Sequence, residues 1–152
     1  MSAINQRNKP VVLIDARGPR YSAGITSVVL ALALITESSY IICFQFAVFL
    51  SAVLFGLSRS IYGFIYRNLI QPRLSGPVPS ENEAAPRFAQ LIGALFAATA
   101  LIGGVSGNSA VFLIATSFAL AAAFLNAAFG FCLGCQFYLL ILRGKARLSA
   151  QN

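Results

Sequence analysis

Histidine and tryptophan are both missing from this 152-residue chain, and only four residues are acidic. Without imidazole there is no histidine general base, no His-ligated haem and no mixed Cys and His zinc site within the chain. Charge of either sign is scarce, at 10% of residues against 58% hydrophobic ones, and mean hydropathy is +0.78. That balance excludes an ordinary soluble domain and describes an integral membrane protein, with the lipid bilayer as its first partner. The net charge of +7 does not make it a nucleic-acid binder, because such proteins spread Lys and Arg over a water-soluble face that this chain lacks. The chemistry left is thiol, carboxylate or none.

What is present is apolar sequence in long runs. Four stretches, roughly Tyr21 to Thr36, Tyr40 to Leu57, Phe88 to Val105 and Ala110 to Phe131 or beyond, approach the length an α-helix needs to cross a core ~30 Å thick at ~1.5 Å per residue. The expected fold is therefore an all-α membrane protein with four transmembrane helices, forming one membrane domain over residues 1–152. Ala31-Leu32-Ala33 resembles a signal-peptidase site, but the lead-in is long for a signal peptide and a paired apolar run follows at once, so the first run is read as a retained span.

The eleven basic residues set the expected orientation. Arg7, Lys9, Arg17 and Arg20 precede the first run; Arg59, Arg67, Arg73 and Arg87 lie between the second and third; Arg143, Lys145 and Arg147 follow the fourth. The connections around Glu37 and Gly107 carry no Lys or Arg. The positive-inside rule then predicts a bacterial inner-membrane protein with both termini cytoplasmic.

Sliding the chain by 67 residues places Pro19-Arg20-Tyr21 on Pro86-Arg87-Phe88 and Tyr62-Gly63-Phe64 on Phe129-Gly130-Phe131. This predicts a tandem duplication of a helical hairpin, with repeat 1 over about 15–74 and repeat 2 over about 82–142. Between the repeats, Ile61, Phe64, Ile65 and Leu69 with Arg59, Arg67 and Arg73 read as a short interfacial helix, ended by Pro72, Gly76, Pro77 and Pro79.

The carboxylates Asp15, Glu81 and Glu83 sit close in sequence to Arg17, Arg20 and Arg87, and interfacial ion pairs among these six are expected. Ser80 and Glu83 have capping-box spacing. Gln45 and Asn126 are polar residues inside apolar runs, expected to face the interior and bond between helices. Gly93, Ala97, Gly103, Gly104 and Ala121-Ala122-Ala123 allow close helix contact, within the chain or in a homodimer.

Cys43 lies early in the second run, whereas Cys132 and Cys135 stand near the end of the fourth in GFCLGCQFY. Cysteines at this spacing share a helix face at a separation a disulfide accepts, and in a reducing compartment such pairs are more often redox-active or metal-binding than structural. Two backbones remain open. A continuous helix puts the thiols near its negative end, whereas a break at Gly130 or Gly134 reverses this; if Gly130 ends one helix and a new one starts near Cys132, the thiols stand at its positive start, with Cys132 the better nucleophile. Small-residue packing is the non-catalytic alternative, and zinc would need two copies of the pair across a dimer. No cofactor or metal site is expected within one chain.

The blocks GFCLGCQFY, PRFAQLIG and IDARGPRYSAG resemble an uncharacterised bacterial membrane family, the one numbered 4395 among domains of unknown function, over about Asp15 to Leu142. Family members commonly carry Glu where this chain has Gln136. Some are associated with thiosulfate sulfurtransferase or thioredoxin-like proteins, so the resemblance implies sulfur or thiol chemistry. The expected activity is thiol-disulfide or persulfide exchange through Cys132 and Cys135 with a cytosolic thioredoxin-like or rhodanese partner. The alternative is a structural subunit or small transporter, so the sequence leaves enzyme and non-enzyme both open.

Overall fold

The computed structural model describes residues 10–152; Arg7 and Lys9, counted in the charge asymmetry, lie outside the described residues. A short strand β1 (Leu13–Asp15) leads into helix α1 (Arg17–Thr36), which turns back as α2 (Ser39–Phe55). The connector holds a short α3 (Ile61–Ile65), a π-turn over Tyr66–Ile70 and a 3₁₀ turn over Gln71–Arg73. Strand β2 (Ser80–Asn82) then precedes α4 (Ala84–Ser106), α5 (Ser109–Phe129) and α6 (Leu133–Ala150).

Three corrections to the expected architecture follow. Among the described residues, three helices and not four are long and apolar enough to cross a membrane, namely α1, α4 and α5. Helix α2 has 17 residues, about 26 Å at ~1.5 Å per residue. It stops because Gly56 turns to φ 91° and the Glu83 carboxylate takes the next free amide, Leu57 N–H, at 2.5 Å. The second correction is that no duplicated hairpin pattern appears. After Gly56 the chain breaks into short turns over Leu57–Arg73, whereas after Gly130 it continues as one 18-residue helix. Third, the chain is not all-α, since β1 and β2 pair antiparallel with Ile14 opposite Glu81.

The core is built from small residues that let helices approach closely. Leu30, Ala33, Ile42, Phe49, Ala94, Ala97, Ala100, Phe112, Ala115 and Ala119 form one buried cluster across α1, α2, α4 and α5. A Cβ on Gly93 would stand 3.0 Å from the Phe49 ring, and one on Gly103 would stand 2.7 Å from the Phe112 backbone nitrogen. Side chains that face outward are large and apolar, including Ile35, Leu54, Ile102, Val105 and Phe118; lipid, not water, suits such a surface.

Gln45 does bond between helices. It is fully buried, accepts a hydrogen bond from Tyr62 Oη at 2.8 Å and donates to Thr26 Oγ1 at 3.4 Å. Packing of this kind satisfies every polar atom the interior encloses; no buried side-chain N or O lacks a partner among the described residues. The capping box does not form, because Ser80 is held in β2 opposite Asp15, and Asn82 Oδ1 instead accepts Ala84 N–H at 2.9 Å.

These contacts divide the molecule into two ends. The turns at Glu37 and Gly107 make one end, where Gly104 packs on Ser39. The other gathers the β1–β2 ribbon, the connector, and the junction of α5 with α6.

Candidate thiol site and its arginine frame

Helix α5 ends in a left-handed glycine. Gly130 has φ 66°, its N–H returns to Asn126 O at 3.0 Å and Phe131 N–H reaches Leu125 O at 3.3 Å. This is the arrangement that satisfies the last carbonyls of a helix while turning the chain away. The backbone therefore breaks at Gly130, which decides between the two alternatives left by sequence.

A new helix starts three residues later with Cys132 as its N-cap. The residue is extended (φ −85°, ψ 103°), and its Sγ accepts the Cys135 N–H at 3.2 Å. Cys132 and Cys135 are joined as a disulfide with Cα atoms 5.2 Å apart. Both residues are half-buried. Gly134, between them, seats α6 on α4, since a Cβ there would lie 2.6 Å from Ala89 Cβ. Phe88 and Tyr138 pack beside this contact with ring centroids 5.6 Å apart.

Arginine holds the other side of the junction. Arg20 Nε donates to Ala127 O at 3.1 Å and Nη2 to Ala128 O at 3.3 Å, which places a cation on the negative end of α5. Arg87 does the same for α2, donating to Val53 O at 2.7 Å through Nε and to Leu54 O at 3.3 Å through Nη2. Among the described residues neither is paired with a carboxylate; the free carbonyls at a helix end are the nearer acceptors.

Of the six expected ion-pair residues, the structure brings together Asp15 and Arg17, with Nη2 to Oδ2 at 3.1 Å. The same carboxylate accepts Arg17 N–H at 3.0 Å, Tyr66 Oη–H at 2.8 Å and Gln71 Nε2–H at 3.4 Å. Desolvation works to raise the Asp15 carboxyl, but the bonds and charge of Arg17, with the Tyr66 bond, together outweigh it and hold it below its ordinary range. Tyr66 is pushed up to about 12 by burial and by its bond to Asp15. Glu81, half-buried in β2, is raised by desolvation, and Glu83 is committed to Leu57 N–H. The site Asp15 organises with Tyr66 and Gln71 escaped sequence reasoning, because those residues are 51 and 56 positions away.

A cavity of about 370 Å³ opens beside the cysteine pair, with Cys132, Asn126 and Gln90 among its lining residues. Among the described residues no three His, Cys, Asp or Glu side chains gather as cation ligands.

The family model described as Domain of unknown function (DUF4395) covers residues 14–143. No curated protein and no solved structure matches the chain.

Proposed function

This chain belongs to the DUF4395 family, and from its thiol geometry we propose that it is a membrane thiol-disulfide or persulfide exchanger. The observation that carries the reading is Cys132 at the N-cap of α6, its sulfur accepting the Cys135 amide proton. A thiolate there receives a hydrogen bond and the positive end of a helix, the setting that favours the nucleophilic form. Arg20, bonded to Ala127 O and Ala128 O, adds a cation a few residues earlier.

In the reduced chain the Cys132 thiolate attacks a partner's disulfide, forming a mixed disulfide and releasing one partner thiolate. The Cys135 thiolate then attacks Cys132 Sγ. The intramolecular disulfide forms, the mixed disulfide breaks, and the partner leaves with both of its sulfurs reduced. With a persulfide donor, Cys132 takes the outer sulfur, and Cys135 displaces it as hydrosulfide.

The reading includes a side of the membrane. Arg17, Arg20, Arg59, Arg67, Arg73 and Arg87 all belong to the end that holds the cysteines, so the positive-inside rule supports a cytoplasmic position in a bacterial inner membrane. A cytosolic thioredoxin-like or rhodanese protein is the partner this implies.

Trapping tests it. In a Cys43→Ser background with Cys135→Ser, Cys132 is expected to form a stable mixed disulfide with a thioredoxin whose resolving cysteine is serine and whose remaining cysteine carries a thionitrobenzoate disulfide, the thionitrobenzoate leaving as thiolate, while Cys132→Ser forms at least tenfold less, read on non-reducing gels. Equal trapping by both variants, or by neither, would make the pair a packing element and favour a structural subunit.

A further inference from the structure

The cavity beside Cys132 runs from the α5–α6 junction into the helix bundle. Its walls carry the rings of Phe96 and Phe118, stacked with centroids 6.2 Å apart, and its polar groups are Gln90, Asn126 and the Thr26 hydroxyl. Phe118 and Phe137 line it and are also exposed on the outer surface, so the space communicates with the lipid. Its volume, about 370 Å³, falls in the ~300–1,000 Å³ range of small-molecule sites, which are mostly apolar with a few placed polar groups. Three features therefore meet in one place: a cysteine pair able to cycle, an aromatic slot open to the bilayer, and amide and hydroxyl donors able to hold ring carbonyls.

We propose that this cavity binds a quinone-class lipid, which accepts the two electrons of the Cys132–Cys135 dithiol. The inference rests on the thiol-exchange reading and names the second substrate of that site. Thiol exchange is reversible: a reduced partner dithiol that attacks the Cys132–Cys135 disulfide leaves as a disulfide and the chain becomes a dithiol, whose two electrons then need an acceptor, and an apolar two-electron acceptor that diffuses in the bilayer fits a site entered from lipid.

The step balances as follows. The Cys132 thiolate adds to a ring carbon of the quinone, forming a C–S bond. The Cys135 thiolate then attacks Cys132 Sγ, the S–S bond forms, the C–S bond breaks, and its electron pair stays with the ring. The two protons that were on the thiols end on the two ring oxygens. One dithiol becomes one disulfide as one quinone becomes one quinol. Gln90 and Asn126 are the positioning residues for the ring, with Thr26, already bonded to Gln45 at 3.4 Å, deeper in the bundle.

The test uses the full chain in lipid nanodiscs, carrying Cys43→Ser so that only the pair reacts. It is reduced, freed of reductant and mixed with decyl-ubiquinone. One quinone is expected to be reduced per chain, with loss of two thiols, read by ultraviolet absorbance and thiol titration. Ala122→Phe, which fills the cavity, is expected to slow this at least tenfold while leaving exchange with thioredoxin within twofold. Asn126→Leu, which keeps the branched shape and removes the amide, is expected to raise the half-saturating quinone concentration severalfold with the same thioredoxin exchange. A chain that exchanges with thioredoxin but reduces no quinone, or whose quinone reduction is unchanged in both variants, overturns the quinone site alone. A chain that does neither overturns the exchange reading as well.

Discussion

Tyr66 and Asp15 show how single residues anchor the cysteine end of this molecule. The hydroxyl is buried and spans from the connector to the strand before α1, at 2.8 Å from Oδ2. Removing one hydrogen bond to a charged group costs roughly 1.5–3 kcal/mol, so Tyr66→Phe is expected to destabilise the fold by about that amount at neutral pH. The pH dependence has a definite sign. Asp15 is lowered in the fold, so its contribution is whole above the ordinary aspartate value, ~3.9, and is lost as pH falls through the depressed folded value. Tyr66 is raised to about 12, so its contribution is whole below ~10 and lost as pH climbs through the folded value. Thermal unfolding of wild type and Tyr66→Phe between pH 2 and 7 checks the acid limb: the difference between them should shrink as Asp15 protonates.

At the scale of elements, the junction of α5 and α6 decides the chemistry. Gly130 sits at φ 66°, a conformation that costs an L side chain about 1–2 kcal/mol. Gly130→Val is expected to destabilise the break and favour a continuous helix, which removes Cys132 from its N-cap. The measurement is the pH profile of iodoacetamide alkylation in the reduced Cys43→Ser chain: Cys132 should react at lower pH in wild type than in Gly130→Val. A profile that does not move would detach thiol reactivity from the helix start. Part of this was legible beforehand. GFCLGCQFY marks the cysteines and a candidate break, yet Gly130 and Gly134 were equal candidates by sequence. Their roles separate only in three dimensions, where Gly130 turns the chain and Gly134 lets α6 touch Ala89.

For the whole molecule, the end-to-end division predicts which surfaces share a side of the membrane. A single cysteine at Arg73, in a chain lacking the three native cysteines, is expected to be labelled by an impermeant maleimide from one face of oriented vesicles, and one at Gly107 from the other. Labelling of both from one face would contradict the arrangement. Helix α6 adds the basic residues Arg143, Lys145 and Arg147 to the Arg-rich end, and none of its residues is buried within the chain, so its apolar side chains Phe137, Leu140 and Leu148 face lipid or the headgroup layer.

Composition and charge by themselves determined that this is a membrane protein with no cation in the turns around Glu37 and Gly107, because burying apolar surface in lipid and keeping Arg and Lys out of it are properties of residues, readable one at a time. They also singled out Cys132 and Cys135. Three things waited for tertiary structure: the early end of α2, the loss of the expected repeat, and the partners of Arg20 and Arg87. Each depends on what stands opposite a backbone group. Glu83 meets Leu57 N–H across 26 residues, and Arg20 meets Ala127 O across 107. Such encounters are set by packing, and local sequence carries no record of them.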